Sequence, residues 1–379
     1  MNVRKWWLAV LLGALLLGGC KPSASEVLKR GHALLDKQEF DQAIEQYDEV
    51  IRLDPKSAAA YAGRAFAFLK KGELDQAIAD WTQGIRLDPR NAVIYRNRGY
   101  AYEKKGELDR AIADLTEAID LDSSHAEGYF ARGVVYHRQG EFDRAILDFT
   151  EAASLPSKDP RDDYKMNAAA FGCRALARAD KGEPDRAIAD FSIAIQVNPS
   201  DVLARVGRGT AYRKTCQFDK AIADYNQAIS LDPKAARAYA DRGLAYADKG
   251  DLRKALADYD EGIRLSDEAI RLNPRDRFAY YDRGWARKKK GEFDKAVADC
   301  TVALRLDPKY AMAYAARGSA YEKKGELDRA IADCTEAIRL SPRMGGAYKV
   351  RGDAYLKKGE KAKAEADLAQ AKKLGYTDK

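Results

Sequence analysis

The residues that could do chemistry are few and stand far apart. The chain has three histidines, His32, His125 and His137. Its five cysteines are Cys20, Cys173, Cys216, Cys300 and Cys334. No H-E-x-x-H, C-x-x-C or H-x₃-H spacing occurs among them, and no nucleophile–base arrangement or phosphate-binding glycine loop is readable. The sequence therefore predicts no metal site, no cofactor and no enzymatic activity.

Composition and charge narrow the class of protein further. The 379 residues are 46% hydrophobic and 33% charged, which is typical neither of a disordered chain nor of a multi-spanning membrane protein. Lysine and arginine number 66 against 59 aspartates and glutamates, for a net charge of +7. So small an excess over so long a chain does not predict a nucleic-acid partner.

The N-terminus has the pattern of an export signal. Arg4 and Lys5 precede an uncharged run of fourteen residues, from Trp6 to Gly19. A permanent transmembrane helix needs about 20 apolar residues, so this run is short for one. A basic start, a short apolar core and small residues before a cleavage site are typical of a secretory signal. An ordinary signal peptide or an uncleaved anchor is the alternative.

The signal ends in the sequence L-G-G-C at Cys20, which resembles the lipobox of bacterial lipoproteins. The resemblance implies a signal peptide over 1–19, lipid attachment at Cys20 and a lipid-anchored linker over 20–23. Two or more buried acyl chains, such as palmitate, give lasting membrane anchorage. The resemblance also implies a location in the bacterial cell envelope, facing the periplasm. By resemblance to enterobacterial lipoproteins, Lys21 after the cysteine favours the outer over the inner membrane.

A repeat of 34 residues fills the rest of the chain. The phrase KKGELDRAIAD at 104–114 returns unchanged at 323–333. An arginine followed by glycine or alanine marks ten repeats, with seven intervals of 34 residues and two of 42 and 41. Ten repeats with insertions of eight and seven residues account for 24–378 and leave no room for a catalytic domain. Position 1 of the first repeat is Ala24, and every repeat is numbered from its own position 1.

Small residues recur at fixed positions of the repeat. Position 20 is alanine in all ten repeats, position 15 is glycine in eight, and position 32 is proline in six. Small residues let two helices approach closely, while glycine supplies a turn and proline ends a helix. This pattern resembles the tetratricopeptide repeat (TPR). The resemblance implies an all-α fold, a right-handed superhelical α-solenoid of about ten helix–turn–helix repeats.

The two insertions divide the repeat array. The expected segments are repeats 1–4 over 24–159, an inserted connection over 160–167, repeats 5–7 with an extended last helix over 168–276, and repeats 8–10 with a C-terminal capping helix over 277–378. The second insertion, SDEAIRL at 266–272, echoes the EGIRL before it and predicts about two further helical turns. Either insertion could be tolerated surface variation, or a bend or docking point.

Arginine occupies position 7 in all ten repeats, and aspartate occupies position 23 in nine. These positions could meet within a repeat or across a neighbouring interface, where a guanidinium and a carboxylate bond through two parallel hydrogen bonds. The sequence thus predicts structural ion pairs, with first members Arg64, Arg98, Arg132, Asp80, Asp114 and Asp148. The alternative, an anion-binding ladder of arginines, is disfavoured because each guanidinium has a matched carboxylate.

In TPR proteins the first helix of each repeat lines a concave face, and positions 2, 5, 9 and 12 project from it. By this resemblance the candidate partner-binding residues form two patches, Phe66, Arg96, Tyr100, Phe130 and Val134, and Phe278, Tyr281, Trp285 and Met312. Aromatic and arginine side chains commonly anchor partners. The alternative is that several of them pack against neighbouring repeats. Ala62 and Phe66 replace the Lys and Asn of the family's carboxylate clamp, which disfavours a chaperone tail as ligand.

The resemblance implies a non-catalytic scaffold or adaptor of the bacterial envelope that binds a partner protein or peptide in the concave groove. The alternative function is binding of a glycan or other cell-wall polymer, which would also use aromatic side chains along a groove. The expected contacts are protein or peptide partners and, through the N-terminal lipid, a membrane. Neither nucleic acid nor metal is expected.

Overall fold

The computed structural model describes residues 22–156 and 163–376. These residues form twenty α-helices and no β-strand, two helices for each of the ten repeats. The helices are α1 Ala24–Asp36, α2 Phe40–Leu53, α3 Ala58–Lys71, α4 Leu74–Leu87, α5 Ala92–Lys105, α6 Leu108–Leu121, α7 Ala126–Gln139, α8 Phe142–Ser154, α9 Asp163–Lys181, α10 Pro184–Val197, α11 Val202–Lys214, α12 Phe218–Leu231, α13 Ala236–Asp248, α14 Leu252–Leu272, α15 Arg277–Lys289, α16 Phe293–Leu306, α17 Ala311–Lys324, α18 Leu327–Leu340, α19 Gly345–Lys357 and α20 Lys361–Lys373. The predicted all-α solenoid is confirmed.

The first helix of repeat 2 has a capping residue at each end. The hydroxyl of Ser57 caps α3 by accepting a hydrogen bond from the N–H of Ala60 at 3.3 Å. At the other end, Gly72 adopts a left-handed conformation with φ of 82°, which glycine does without steric cost. Gln38 and Cys216 adopt the same conformation, with φ of 62° and 60°, at the two repeats whose position 15 is not glycine.

In eight of the ten repeats, position 24 carries a large apolar or aromatic side chain, whereas repeats 8 and 9 have Cys300 and Cys334 there. In repeat 1 the large side chain is Tyr47, which is fully buried beside Ala43. A Cβ added to Gly31 would lie 2.8 Å from Cε1 of the tyrosine ring. Trp81 and Phe149 fill the equivalent position and are buried to the same extent. The small residues of the repeat are therefore required by the close packing of its large ring.

The helices form two compact stacks, divided between Ser123 and Ser124. The N-terminal stack holds repeats 1–3 and the C-terminal stack holds repeats 4–10. Within each stack, every helix packs against the helices before and after it. The division thus falls after repeat 3, whereas the sequence places its divisions at the two insertions.

The arginine at position 7 and the aspartate at position 23 pair within their own repeat. Arg98 donates through Nε and Nη2 to the two carboxylate oxygens of Asp114, each at 2.7 Å. Two parallel bonds of 2.7 to 2.9 Å likewise join Arg64 to Asp80 and Arg132 to Asp148. The aspartates are buried, so these bonds replace the hydration that the ions lose on folding.

The remaining guanidinium nitrogen reaches the preceding repeat. Nη1 of Arg98 donates to Oγ1 of Thr82, at position 25 of repeat 2, over 3.0 Å. The position-7 arginines of other repeats donate in the same way to Asp48, Thr150, Ser192, Asn226, Asp267, Thr301 and Thr335. One arginine side chain therefore ties together both helices of its own repeat and the second helix of the repeat before it.

An exposed lysine contact follows the same register. Nζ of Lys71, at position 14 of repeat 2, lies 2.7 Å from the carboxylate of Asp41, at position 18 of repeat 1. The equivalent pairs are Lys105–Asp75, Lys181–Asp143, Lys249–Asp219, Lys324–Asp294 and Lys358–Asp328. Exposed ion pairs contribute little stability, but they mark where one repeat lies against the next.

The first insertion leaves this register unchanged. Helix α9 begins at Asp163, so much of the predicted connection over 160–167 is helical. Arg174 still donates to Thr150, the position-25 residue of repeat 4, at 3.0 Å. The inserted residues are therefore accommodated before the helix interface and not within it.

The second insertion shifts the register. Helix α14 is 21 residues long, whereas α12 of the preceding repeat has 14. Arg283 of repeat 8 donates to Asp267 at 2.5 Å, and Lys290 pairs with Asp260. Both acceptors lie seven residues later in α14 than the equivalent acceptors of other repeats. Repeat 8 is thus docked about two turns, or roughly 10 Å, further along the helix.

Two repeats of the C-terminal stack that are distant in sequence, repeats 4 and 9, also contact each other. The guanidinium carbon of Arg343, in the turn before α19, lies 4.5 Å from the ring centroid of Phe142 in repeat 4. The same side chain covers Gly140, where an added Cβ would collide with its Cδ. Repeats 4 and 9 of the stack are therefore in direct contact.

The buried ion pairs predict a large loss of stability when a carboxylate is removed. Asp190 is 1% exposed and accepts from Arg174 at 2.7 Å and from Arg178 at 2.8 Å. We expect Asp190→Ala to lower the free energy of unfolding by about 3 kcal/mol or more, because two guanidinium groups lose their partner. Urea denaturation and amide hydrogen exchange of α9 and α10 measure the loss. Asp185→Ala, on the exposed side of the same helix, should cost below about 0.5 kcal/mol. Equal losses from both variants would contradict a structural role for the pair.

Candidate functional site

The candidate site lies on the first helices of repeats 6 to 9 in the C-terminal stack. Positions 2, 5, 9 and 12 of an α-helix fall on one side of it, because a turn takes 3.6 residues. The first helices of successive repeats contact each other, as α13 and α15 do. Their side chains at these positions therefore form one continuous face, which we call the helix-A face.

At one end of the helix-A face, three aromatic side chains of repeat 8 pack together. Phe278 packs edge-on against Tyr310 with ring centroids 5.7 Å apart, and Tyr281 lies 5.2 Å from the same ring. Phe278 is 53% exposed and Met312 is 44% exposed, whereas Tyr281 is 5% exposed. Burial raises the pKa of Tyr281 to about 12. Phe278 and Met312 are accessible to a partner, and Tyr281 belongs to the core that supports them.

Trp285 lies in the middle of the face, between positive charges. The guanidinium carbon of Arg237 lies 5.2 Å from the indole ring and Nζ of Lys289 lies 5.4 Å from it. Tyr259 packs edge-on against the same ring at 6.4 Å. The two cations cover part of the ring. Because the ring is only half-buried, the rest of its surface is accessible to solvent.

A network of charges continues the face towards repeat 6. Nε of Arg237 donates to Asp241 at 2.9 Å, and Nη1 lies 4.0 Å from Asp282. Nη1 of Arg213 donates to Asp248 at 2.7 Å. Desolvation raises the pKa of Asp282 to about 6, although the positive charge of Arg237 opposes the rise.

Sequence reasoning missed these charges because it considered positions 2, 5, 9 and 12 alone. The three aspartates stand at positions 6 and 13. A sequence signal was present: an aspartate at position 13 follows a cation at position 12 of the preceding repeat. Arg213–Asp248 and His137–Asp180, the latter at 2.9 Å, both follow that pattern.

Two lysines on this face have no carboxylate partner in the part of the chain that the structure describes. Lys288 and Lys289 end α15, and neither forms an ion pair with another described residue. Desolvation, with Lys289 beside it, lowers the pKa of Lys288 to about 8. The face therefore combines accessible apolar side chains with cationic groups that are available to an anionic ligand.

The other predicted partner-binding residues are distributed over both stacks. In the N-terminal stack, Tyr100 is 45% exposed with Nζ of Lys104 5.0 Å from its ring centroid. Phe66 packs against the core around Trp81, and Arg96 is half-buried. In the C-terminal stack, Phe130 and Val134 pack against the core around Phe149, with 5.7 Å between the two phenylalanine rings. Tyr100 is the most exposed of the five.

Three of the four cysteines in the described residues have thiols shielded from solvent, and Cys216 is exposed. Burial raises the pKa of Cys173 to about 11 and those of Cys300 and Cys334 to about 12. These groups are protonated at neutral pH, and the thiol is a poor nucleophile compared with the thiolate. Residues 22–156 and 163–376 hold no group of three or more potential metal ligands and no helix long and apolar enough to cross a membrane. Cys20 and the predicted signal over 1–19 lie outside these residues.

Comparison with known families agrees with this architecture. The sequence model described as "Tetratricopeptide repeat" matches 96–160, 174–215, 248–311, 281–345 and 315–375. A second model, described as "TPR repeat", matches 31–72, 67–106 and 209–250. The chain belongs to the tetratricopeptide repeat family, whose members are generally non-catalytic and mediate protein–protein interactions.

Solved structures with the same kind of repeat include three named relatives. YrrB, a TPR protein with an unusual peptide-binding site, is 25% identical, over 49% of this chain and 91% of that chain, with a TM-score of 0.40. Yeast Tom70 is 16% identical over 93% and 92%, with a TM-score of 0.42. Pseudomonas aeruginosa PilF is 18% identical over 57% and 92%, with a TM-score of 0.46. No curated protein sequence matches the chain.

The raised pKa of Asp282 predicts a pH dependence of stability. Its folded-state pKa is about 6, against about 3.9 in an unfolded chain. The folded protein thus keeps a proton that the unfolded chain releases, so the stability from this group falls as pH rises from about 4 to about 6. We expect Asp282→Asn to become more stable than the natural chain by about 1–2 kcal/mol across that window. Urea denaturation between pH 4 and 7 measures the difference, and parallel profiles for the two proteins would refute the assignment.

Proposed function

We propose that the chain is a non-catalytic scaffold of the bacterial envelope that binds a partner protein or peptide on the helix-A face around Trp285. The observation that carries the proposal is the coincidence of exposed Phe278 and Met312 with the unpaired Lys288 and Lys289 on one continuous face. The core of repeats 8 and 9 is filled by Tyr281, Cys300 and Leu304, so the exposed Phe278 and Met312 are available to a ligand. Membership of the TPR family supports the choice of a protein ligand.

The chemistry of the face defines the ligand. Phe278 and Met312 would receive apolar side chains, and Trp285 offers an anchor of the kind that dominates binding energies. Lys288 and Lys289 would receive carboxylates. The ligand we propose is therefore an extended peptide segment with both apolar and acidic residues. A glycan would use the aromatic rings but would leave the lysines without a partner.

The envelope location rests on the sequence before residue 24. A signal over 1–19 and a lipid on Cys20 would anchor the array by its N-terminus, with the outer membrane favoured by Lys21. The short linker over 20–23 would hold repeat 1 close to the membrane surface. The scaffold would then collect its partner at the envelope.

The ligand proposal predicts a loss of binding when the anchors are truncated. We expect Trp285→Ala and Phe278→Ala each to weaken binding of a partner captured from detergent-solubilised envelope by about 2 kcal/mol, or roughly thirty-fold. Surface plasmon resonance with the immobilised chain measures the affinity for the partner, and circular dichroism monitors the helicity of each variant. Leu147→Ala is the matched control, because Leu147 is 70% exposed on a second helix. Unchanged affinity, or retention on cell-wall material in place of protein, would refute the proposed ligand.

The anchor proposal is tested by Cys20→Ser. This change removes the thiol that would carry the lipid, so we expect loss of labelling by a fatty-acid analogue and release of the chain from membranes. Cell fractionation with immunoblotting measures the release, with Cys216→Ser as the control since Cys216 is an exposed thiol within the repeats. Membrane attachment that survives Cys20→Ser with signal cleavage intact would rule out the lipid anchor.

A further inference from the structure

The shift of repeat 8 along α14 leaves part of repeat 7 without its usual cover. Elsewhere in the C-terminal stack, the lysine at position 14 reaches back to position 18 at the start of the preceding second helix, as Lys249 does to Asp219. In repeat 8, Lys290 pairs with Asp260 instead. Repeat 8 therefore leaves about the first two turns of α14 uncovered.

Two leucines in these first turns are exposed as a result. Leu252 is 65% exposed and Leu256 is 46% exposed. The equivalent residues of the neighbouring repeats are half-buried, namely Phe218 and Ile222 in repeat 6 and Phe293 and Val297 in repeat 8. The two leucines thus occupy positions that are half-buried in repeats 6 and 8 and exposed in repeat 7.

The charge of this surface is reversed as well. Position 18 is aspartate in eight repeats, and six of these aspartates are named above as partners of a lysine from the next repeat. In repeat 7 the same position is Arg253, which is exposed and forms no ion pair with the residues described. An arginine here would repel the lysine of a following repeat, so this surface is unsuited to the chain's own first helices.

We infer that the surface formed by Leu252, Arg253 and Leu256, which we call the α14 ledge, binds an amphipathic helix of a partner protein whose contact side carries apolar residues and a carboxylate. In repeats 6 and 8 the first helix of the next repeat packs against the second helix that carries this face, so the ledge has the form of a helix-binding surface. The reversed charge selects an acidic helix. A second copy of this chain is disfavoured, because its first helices commonly end in lysine, as at Lys71 and Lys324.

The ledge is separate from the peptide site proposed around Trp285, and its test does not depend on that site. The probe is a stapled peptide with the sequence of α17, residues 311–324, in which Lys324 is replaced by Glu; the staple counters the poor helicity of so short a peptide. The same peptide with its natural lysine is the comparison. Fluorescence anisotropy measures the binding of each to the purified full chain.

We expect the Glu peptide to bind about ten-fold more tightly than the Lys peptide, and Arg253→Asp to invert this preference. Leu256→Ser should weaken binding at least about five-fold. Leu272→Ser is the matched control, since Leu272 is 74% exposed at the far end of the same helix, and it should leave binding unchanged. Equal binding of both peptides, or a preference that survives Arg253→Asp, would overturn the inference.

Deleting 266–272 supplies an independent arm. Combined with Arg253→Asp, the deletion should restore the ordinary register, cover the ledge with repeat 8 and abolish peptide binding while helicity is retained. A deletion variant that folds and still binds the Glu peptide would place the binding elsewhere. Sedimentation of the full chain completes the test: a dimer that Leu252→Ser dissociates would identify a second copy as the occupant and contradict the acidic helix.

Discussion

The structure depends most on the buried ion pair between the arginine at position 7 and the aspartate at position 23. A guanidinium and a carboxylate removed from water recover their lost hydration only through close and well-directed bonds. Arg98 makes two such bonds to Asp114 and a third to Thr82 of the preceding repeat. Because three helices meet at this one side chain, it holds a repeat together and also determines where that repeat docks on its neighbour.

This constraint explains why the two insertions have different consequences. Seven residues make nearly two full turns, so an insertion of seven within α14 presents Asp267 and Asp260 on the same side of the helix as the acceptors they replace. Repeat 8 therefore keeps both the arginine contact and the lysine contact, at acceptors seven residues further along the helix. The first insertion instead lies before the interface, and Arg174 still finds Thr150. An insertion into a second helix that changed the facing side would leave the arginine of the next repeat without its acceptor.

The repeat length, the helix pairs and the arginine–aspartate partners could be predicted because they recur at fixed positions. The third bond of the arginine could not, since position 25 varies among Thr, Ser, Asn and Asp, which share only an oxygen acceptor. Tyr281 was predicted at the partner surface, yet its ring is buried because Tyr310 from the end of the same repeat packs against it. Position 5 lies between the core and the helix-A face. Whether its side chain is buried or exposed depends on the size of the neighbouring side chain, which sequence position alone does not give.

The register shift also accounts for the chemistry around Trp285. Where two neighbouring repeats have the usual register, the first helices contact each other through residues at nearly the same repeat position. Arg213 at position 12 and Asp248 at position 13 of the next repeat are an example. Trp285 is at position 9, but its neighbour Arg237 is at position 2 of repeat 7, a difference of seven. The insertion that brings these two together is the same one that uncovers Leu252 and Leu256. The repeats are closely alike in sequence, and the change of register gives repeats 7 and 8 a contact and an exposed surface that repeats 6 and 8 do not show at the equivalent described residues. The buried ion pairs of repeats 7 and 8 are kept, as Arg242–Asp258 and Arg283–Asp299.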